Sequence, residues 1–161
     1  MSEFAVVRVA VPPAPAGSRA EVEIPRVSAF TDEVMVIGVM MTFTADANAA
    51  NRAPYVQMVD PEGRIIMVSP AEPSVLASET WYLSWRPGIA GLSRAGGGEN
   101  RSSISIGMVV ARIGDVIHLG AMNQQAGDVI SGLVELVEFP GGGIPVFGGG
   151  GIAGDGGGGG G

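Results

Sequence analysis

The sequence predicts an all-β fold, an antiparallel β-sandwich or jelly roll of about eight or nine strands, and three observations predict it. Apolar residues recur with a period of two, turn signals interrupt them at short intervals, and no stretch sustains a helical period. The segment ADANAAN (45–51) has room for one helical turn at a strand end and no more.

The chain opens with two short strands, EFAVVRVAV and AEVEI, on either side of the Pro-rich VPPAPAG. In DEVMVIGVMMTFTAD (32–46) the odd positions Met35, Ile37, Val39, Met41 and Phe43 are all apolar, which reads as a long strand. PYVQMVD and GRIIMVS follow as a hairpin over 54–69. Its turn is Asp60-Pro61-Glu62-Gly63, with proline and glycine where a type I turn favours them. ETWYLSWR sets Trp81, Leu83 and Trp85 against Thr80, Tyr82, Ser84 and Arg86, so both tryptophans are expected in the core and Tyr82 outside. After a loop over 86–101, SSISIGMVVAR alternates with Ile104, Ile106, Met108 and Val110 on one side. DVIHLGA and DVISGLVELVEF, separated by MNQQAG, complete the set.

Composition changes abruptly at Phe139. Of the 27 glycines, 14 fall in the last 22 residues, Pro140 to Gly161. The reading is therefore an N-terminal arm with short strands (1–29), a sandwich domain (30–139) and a Gly-rich C-terminal arm (140–161). A polyglycine linker is one account of that arm, since glycine loses the most backbone entropy on ordering. Ile144, Val146 and Phe147 form an apolar island unlike a linker, and with Pro140 and Ile152 they are the candidate arm contacts.

Two strands carry more apolar surface than one sandwich core can cover. In the last strand Ile130, Val134 and Leu136 can face inward, yet Val129, Leu133, Val137 and Phe139 make the opposite face apolar too. Val34, Val36 and Met40 do the same on the long strand. These seven residues are the candidate subunit interface. The other cover for that surface is the chain itself, through its N-terminal strands or the 86–101 loop.

Composition excludes several functions. A net charge of -7 and no lysine oppose wrapping nucleic acid. The longest apolar run, Val34 to Met41, is about half of a membrane span. The N-terminus has an early acid, no basic region and a Pro-Pro pair, so a signal peptide is not expected and cytoplasmic synthesis is. Without cysteine there is neither a disulfide framework nor a thiolate metal site.

Chemistry-bearing groups are sparse. A cupin-type metal site needs about three histidines and a carboxylate, whereas His118 is alone, flanked by Ile117 and Leu119, and reads as structural. The same lone histidine leaves Ser-His-Asp chemistry unsupported. Asp46, Asp60, Glu62, Asp115, Asp128, Glu135 and Glu138 could supply a glycosidase pair, but most of them fall at strand ends where acids serve turns. Asp46 and Asn48 could begin a calcium loop; lacking its other ligands, they read as an Asx turn. GGGENR and GGGGIAG lack the flanking residues of a phosphate cradle. No catalytic residue, cofactor or metal is expected.

Over residues 30–139 the sequence resembles a group of bacteriophage virion accessory proteins. In these a strand ending like TFTADANAANR precedes a hairpin with a DPEG-like turn, and a segment like AGDVISGLVELVEF closes the domain. The resemblance implies a β-sandwich component of the virion, most often a capsid decoration or cement protein, commonly a homotrimer, whose partner is the major capsid protein or another virion protein. VPPAPAG and the Gly-rich tail lie outside the shared pattern. The residues themselves lead to a compatible expectation, an acidic all-β domain with surplus apolar faces built to join an assembly. The alternative is a tail, neck or fibre-associated structural or carbohydrate/receptor-binding module, for which Tyr55, Tyr82 and the tryptophans are the candidate aromatics.

Overall fold

The structure, a computed structural model, describes residues 5–27, 29, 31–72, 74–88, 91–95 and 100–138. Eleven strands follow in order: β1 Val6–Val11, β2 Ala20–Glu23, β3 Glu33–Thr44, β4 Ala53–Val59, β5 Ile65–Pro70, β6 Thr80–Pro87, β7 Leu92–Arg94, β8 Asn100–Ile106, β9 Val109–Arg112, β10 Val116–Met122 and β11 Val129–Glu138. They form two sheets. The larger runs β1-β11-β3-β6-β8-β7, with β9 also pairing β3; the smaller runs β2-β10-β4-β5. Interleaving of the sequence between the sheets makes the core a shared one. Val39, Met41, Phe43, Leu83, Trp85, Val134 and Leu136 of the larger sheet belong to one buried cluster with Val22, Val56, Met58, Ile117 and Leu119 of the smaller. The described residues form an all-β sandwich.

Several expectations hold at residue level. β4 and β5 pair as an antiparallel hairpin, closed by a hydrogen bond from the Gly63 amide to the Asp60 carbonyl at 2.9 Å. Trp81, Leu83 and Trp85 are buried while Tyr82 is exposed. The indole N–H of Trp81 donates to Glu79 Oε2 at 2.9 Å.

The long strand differs from its expected alternation. Residues 34 and 36 point inward, and then 39, 41 and 43 do, because the β11 register skips from Glu135 opposite Gly38 to Leu136 opposite Val36. Ile37 is the extra residue of a bulge, and a bulge reverses which side chains face the core. The same point divides the partners on the far edge of β3: β6 pairs residues 39–44 and β9 pairs 33–36. Val34 and Val36 are therefore interior residues of this chain. As members of an outer, subunit-facing surface they are corrected.

Two further corrections concern pairing. SSISIGMVVAR is two strands, broken at Gly107 and Met108. β8 runs parallel to β6 and β9 pairs β3, so Val109 packs on the core while Met108 and Val110 turn outward. Glycine within an alternating run often marks such a break. The segment expected as an N-terminal arm is also integral: β1 pairs β11 along its whole length and β2 pairs β10.

At Gly132 the two sheets pack closely. A Cβ there would stand 2.8 Å from the Met40 carbonyl oxygen and would collide with Leu119 Cδ1 across the core. Backbone cannot yield as a side-chain tip can. Gly132→Ala is expected to destabilise the fold by about 1–3 kcal/mol, read as a lower midpoint in urea unfolding; an unchanged midpoint would show that the sheets can part at no cost.

Candidate functional site

Three constellations stand out, and the first explains the acids that the sequence offered as a pair or a calcium site. Arg52 is fully buried where β4 begins. Its Nε and Nη2 donate to Asp128 Oδ2 and Oδ1, each at 3.1 Å, and Nη2 also reaches Asp46 Oδ1. Nη1 donates to the carbonyls of Asn48 (2.8 Å) and Ala50 (3.0 Å), so all five guanidinium protons have acceptors. Asp128 in turn accepts the amides of Asp46 (2.8 Å) and Gln125 (2.7 Å). The Asn48 amide donates to Asp46 Oδ1 at 3.0 Å, which is the expected Asx turn.

Chemically this is a latch. Asp46 and Asp128 do meet, and the Arg52 guanidinium between them donates to the carboxylates of both. Burial raises the Asp46 pKa, and the hydrogen bonds from Asn48 and Gly127 and the charge of Arg52 more than offset it. The carboxyl is held below its ordinary 3.8. Among the described residues no group of three or more His, Cys, Asp or Glu is placed to hold a metal ion, and no helix is long and apolar enough to cross a membrane. Asp60 and Asp115 serve turns, accepting the amides of Arg64 (2.8 Å) and Arg112 (2.7 Å).

The second constellation is the outer face of the larger sheet. Glu135 is buried there between Arg8 Nε at 3.1 Å and Arg86 Nη2 at 3.0 Å. It lies over Gly38, where a Cβ would come within 2.9 Å of its Oε2. A glycine inside a strand is the sequence signal that a close approach was needed there. Beside this triad two cross-strand rows line a groove of about 480 Å³: Ser131, Thr42, Tyr82, Arg101 and Leu133, Met40, Ser84, Ser103. The Arg101 guanidinium stands 5.9 Å from the Tyr82 ring centre.

Of the remaining interface candidates, Met40 and Leu133 are half-buried partners across this face, Val137 is nearly covered, and Val129 is exposed. Phe139 and the arm residues Pro140, Ile144, Val146, Phe147 and Ile152 lie outside the described residues.

The third constellation was not foreseen. β5 is an edge strand, paired only with β4, and its Ile65, Ile66 and Val68 are 63%, 48% and 58% exposed. The segment Ser105–Val110 runs alongside, with Met108 77% exposed. Between them lies a cleft of about 440 Å³ lined by Ile66, Val68, Met108 and Val110. Five of the ten exposed large hydrophobic residues of the described chain, these four and Ile65, gather at this one edge. An apolar patch of this kind on an unpaired edge marks an interaction surface.

No protein-family model matches the chain, and no curated protein matches it. Among solved structures, the crystal structure of dimeric latent PorU from Porphyromonas gingivalis is similar with a TM-score of 0.44 and 11% identity, over 85% of this chain and 13% of that one.

Two predictions follow from the polar groups. Breaking the latch with Arg52→Met or Asp128→Ala leaves a buried charge unpaired, at a cost of about 3–5 kcal/mol; chemical denaturation reads it, and a loss below about 1 kcal/mol would deny the latch its role. His118 is buried, with Gln57 Oε1 at 3.3 Å and Glu21 Oε2 at 3.4 Å. Burial and the charge of Arg19 hold its pKa below the ordinary 6.5, against the pull of Glu21. The unfolded chain then takes up the proton more readily than the folded one. Stability is fully present above pH 6.5 and declines as pH falls below it. His118→Gln should flatten that decline in melting curves taken across the window.

Proposed function

We propose that this chain is a structural protein of a bacteriophage particle, a capsid decoration or cement protein that binds neighbouring capsid subunits. The observation that carries the reading is the apolar, unpaired β5 edge and its cleft, a surface suited to docking another protein. The strand orders support a jelly roll: β1-β11-β3-β6 and β2-β10-β4-β5 are two interleaved four-stranded halves, with β7, β8 and β9 as an insertion before β10. That architecture is frequent in viral capsid domains. The resemblance of TFTADANAANR and AGDVISGLVELVEF to virion accessory proteins points the same way. In this reading the protein resides in the virion, self-associates, and uses the Gly-rich arm from Pro140 onward to extend its grip on neighbours.

The test is occupancy on particles. A chain ending at Phe139 should stay folded by circular dichroism yet be incorporated at a lower level, as quantified on purified particles. Equal occupancy would remove the arm from the proposal, and absence of the full-length protein from particles would overturn it.

One observation favours a second reading, a carbohydrate-binding module: the exposed Tyr82 stands beside Arg101, Ser84 and Ser103 in the outer-face groove. A glycan array with no signal for the wild type would dispose of it.

A further inference from the structure

The charge of one face departs from that of the chain. Three rows of side chains cross the outer face of the larger sheet, through Ser131, Leu133 and Glu135 of β11, since residues opposite one another on neighbouring strands point the same way. The first row continues through Thr42, Tyr82 and Arg101 to Arg94 of β7, the second through Met40 and Ser84 to Ser103, and the third joins Arg8 and Arg86 across Glu135. Among the described residues these rows hold four arginines against one carboxylate, whereas the whole chain has 9 arginines against 16 acids. An acidic protein thus gathers its cations on one face.

The groove of about 480 Å³ lies along the first two rows, and its lining is rich in hydroxyls. Thr42, Ser131, Ser84, Ser103 and Tyr82 each present a hydroxyl that donates once and accepts twice, as a sugar hydroxyl does. The Ser84 and Ser103 hydroxyls are 3.2 Å apart, close enough for both to reach one ligand oxygen. Tyr82 is the aromatic residue of these rows, 46% exposed, with the Arg101 guanidinium beside its ring. Arg94, exposed on the next strand, stands opposite Arg101. The field of neighbouring guanidinium groups favours an anion at that end of the groove.

We infer that this groove binds a carboxylate-bearing glycan, a ligand class that deepens the carbohydrate-binding reading and rests on it. The carboxylate lies at the β8–β7 end, by Arg94 and Arg101, where planar guanidinium groups match its geometry. A sugar ring packs its C–H face on Tyr82, and its hydroxyls exchange hydrogen bonds with Thr42, Ser84 and Ser103. The row from Ser131 to Arg94 crosses five strands about 4.8 Å apart, about 19 Å in all, which suits an oligosaccharide rather than a single sugar. A glycan also keeps its own hydration. It can leave the Arg8–Glu135–Arg86 triad wet, where an apolar partner would have to strip water from three charges. A nucleic-acid strand matches less well, because such strands stack successive bases on several aromatic side chains and these rows carry one.

The test presents the full chain to an array of uronate- and sialate-bearing oligosaccharides printed beside their neutral methyl esters, then titrates the strongest ligand by calorimetry. Acidic members should bind, and the matching ester should be at least about tenfold weaker. Tyr82→Ala should raise Kd about tenfold and Arg94→Gln about three- to tenfold, both at exposed positions where circular dichroism should not change. Arg64→Gln, on the β4–β5 turn of the other sheet, removes the same charge and should leave Kd within about twofold. Equal binding of acid and ester would keep the carbohydrate-binding reading and overturn this inference, whereas silence across the array would overturn both. Tighter binding to single-stranded oligothymidylate than to any glycan, or an Arg64→Gln loss as large as that of Arg94→Gln, would show unspecific attraction of anions and overturn it as well.

Discussion

The Arg52 guanidinium is the constraint on which one end of this sandwich depends. A buried cation is tolerated only where every donor has an acceptor, and here five donors draw in two carboxylates and two carbonyls from segments 76 residues apart in sequence. The consequences spread outward. Asp46 must stay close enough to accept the Gly127 amide at 3.1 Å, which excludes a side chain at 127: a Cβ there would come within 2.8 Å of Asp46. The Asp128 carbonyl accepts from Gly17 at 2.8 Å, whose positive φ of 77° suits glycine and whose Cβ position is occupied by the Ala126 backbone. Arg52 itself forms a two-way backbone bridge with Val75. Thus the β1–β2, β3–β4, β5–β6 and β10–β11 connections are tied at one place.

How much of this was legible follows from the range of each interaction. The Asx turn of Asp46 and Asn48, the Asp60–Gly63 turn and the inward tryptophans are local or periodic features, and the sequence contains them. The Arg52–Asp128 pair is not local, and nothing in a single chain distinguishes that arginine from the other eight. The bulge at Ile37 was hidden for another reason. When both faces of a strand are apolar, alternation cannot say which is the core face, and only the register with β11 decides. Gly38 and Gly107 were the available signals, each a glycine interrupting a strand pattern. One allows Glu135 to lie flat between two arginines, and the other ends β8.

The same ambiguity bears on two of the candidate interface residues. Surplus apolar residues on β3 and β11 suggested a second exposed face, but the bulge turns Val34 and Val36 inward, and the Arg8–Glu135–Arg86 triad crosses the outer face where a broad hydrophobic contact would otherwise lie. A fully desolvated partner on that face would have to cover a cluster of three charges, which carries a large penalty. The apolar surface without such an obstacle is at β5, a strand short enough that its six residues gave only a hairpin signal.

Charge then organises the whole molecule. Arginines are committed inside the chain: Arg52 to Asp46 and Asp128, Arg8 and Arg86 to Glu135, Arg26 to Asp32, Arg112 to Glu33. Since acids outnumber arginines 16 to 9, what these pairings leave over is negative, and the surface as a whole repels its own copies over a screening distance of about 10 Å. That repulsion is weakest where charge is locally absent or locally balanced. Among the edge strands of the described residues, β5 is the one that carries no charged residue, so like-charge repulsion is weakest along it.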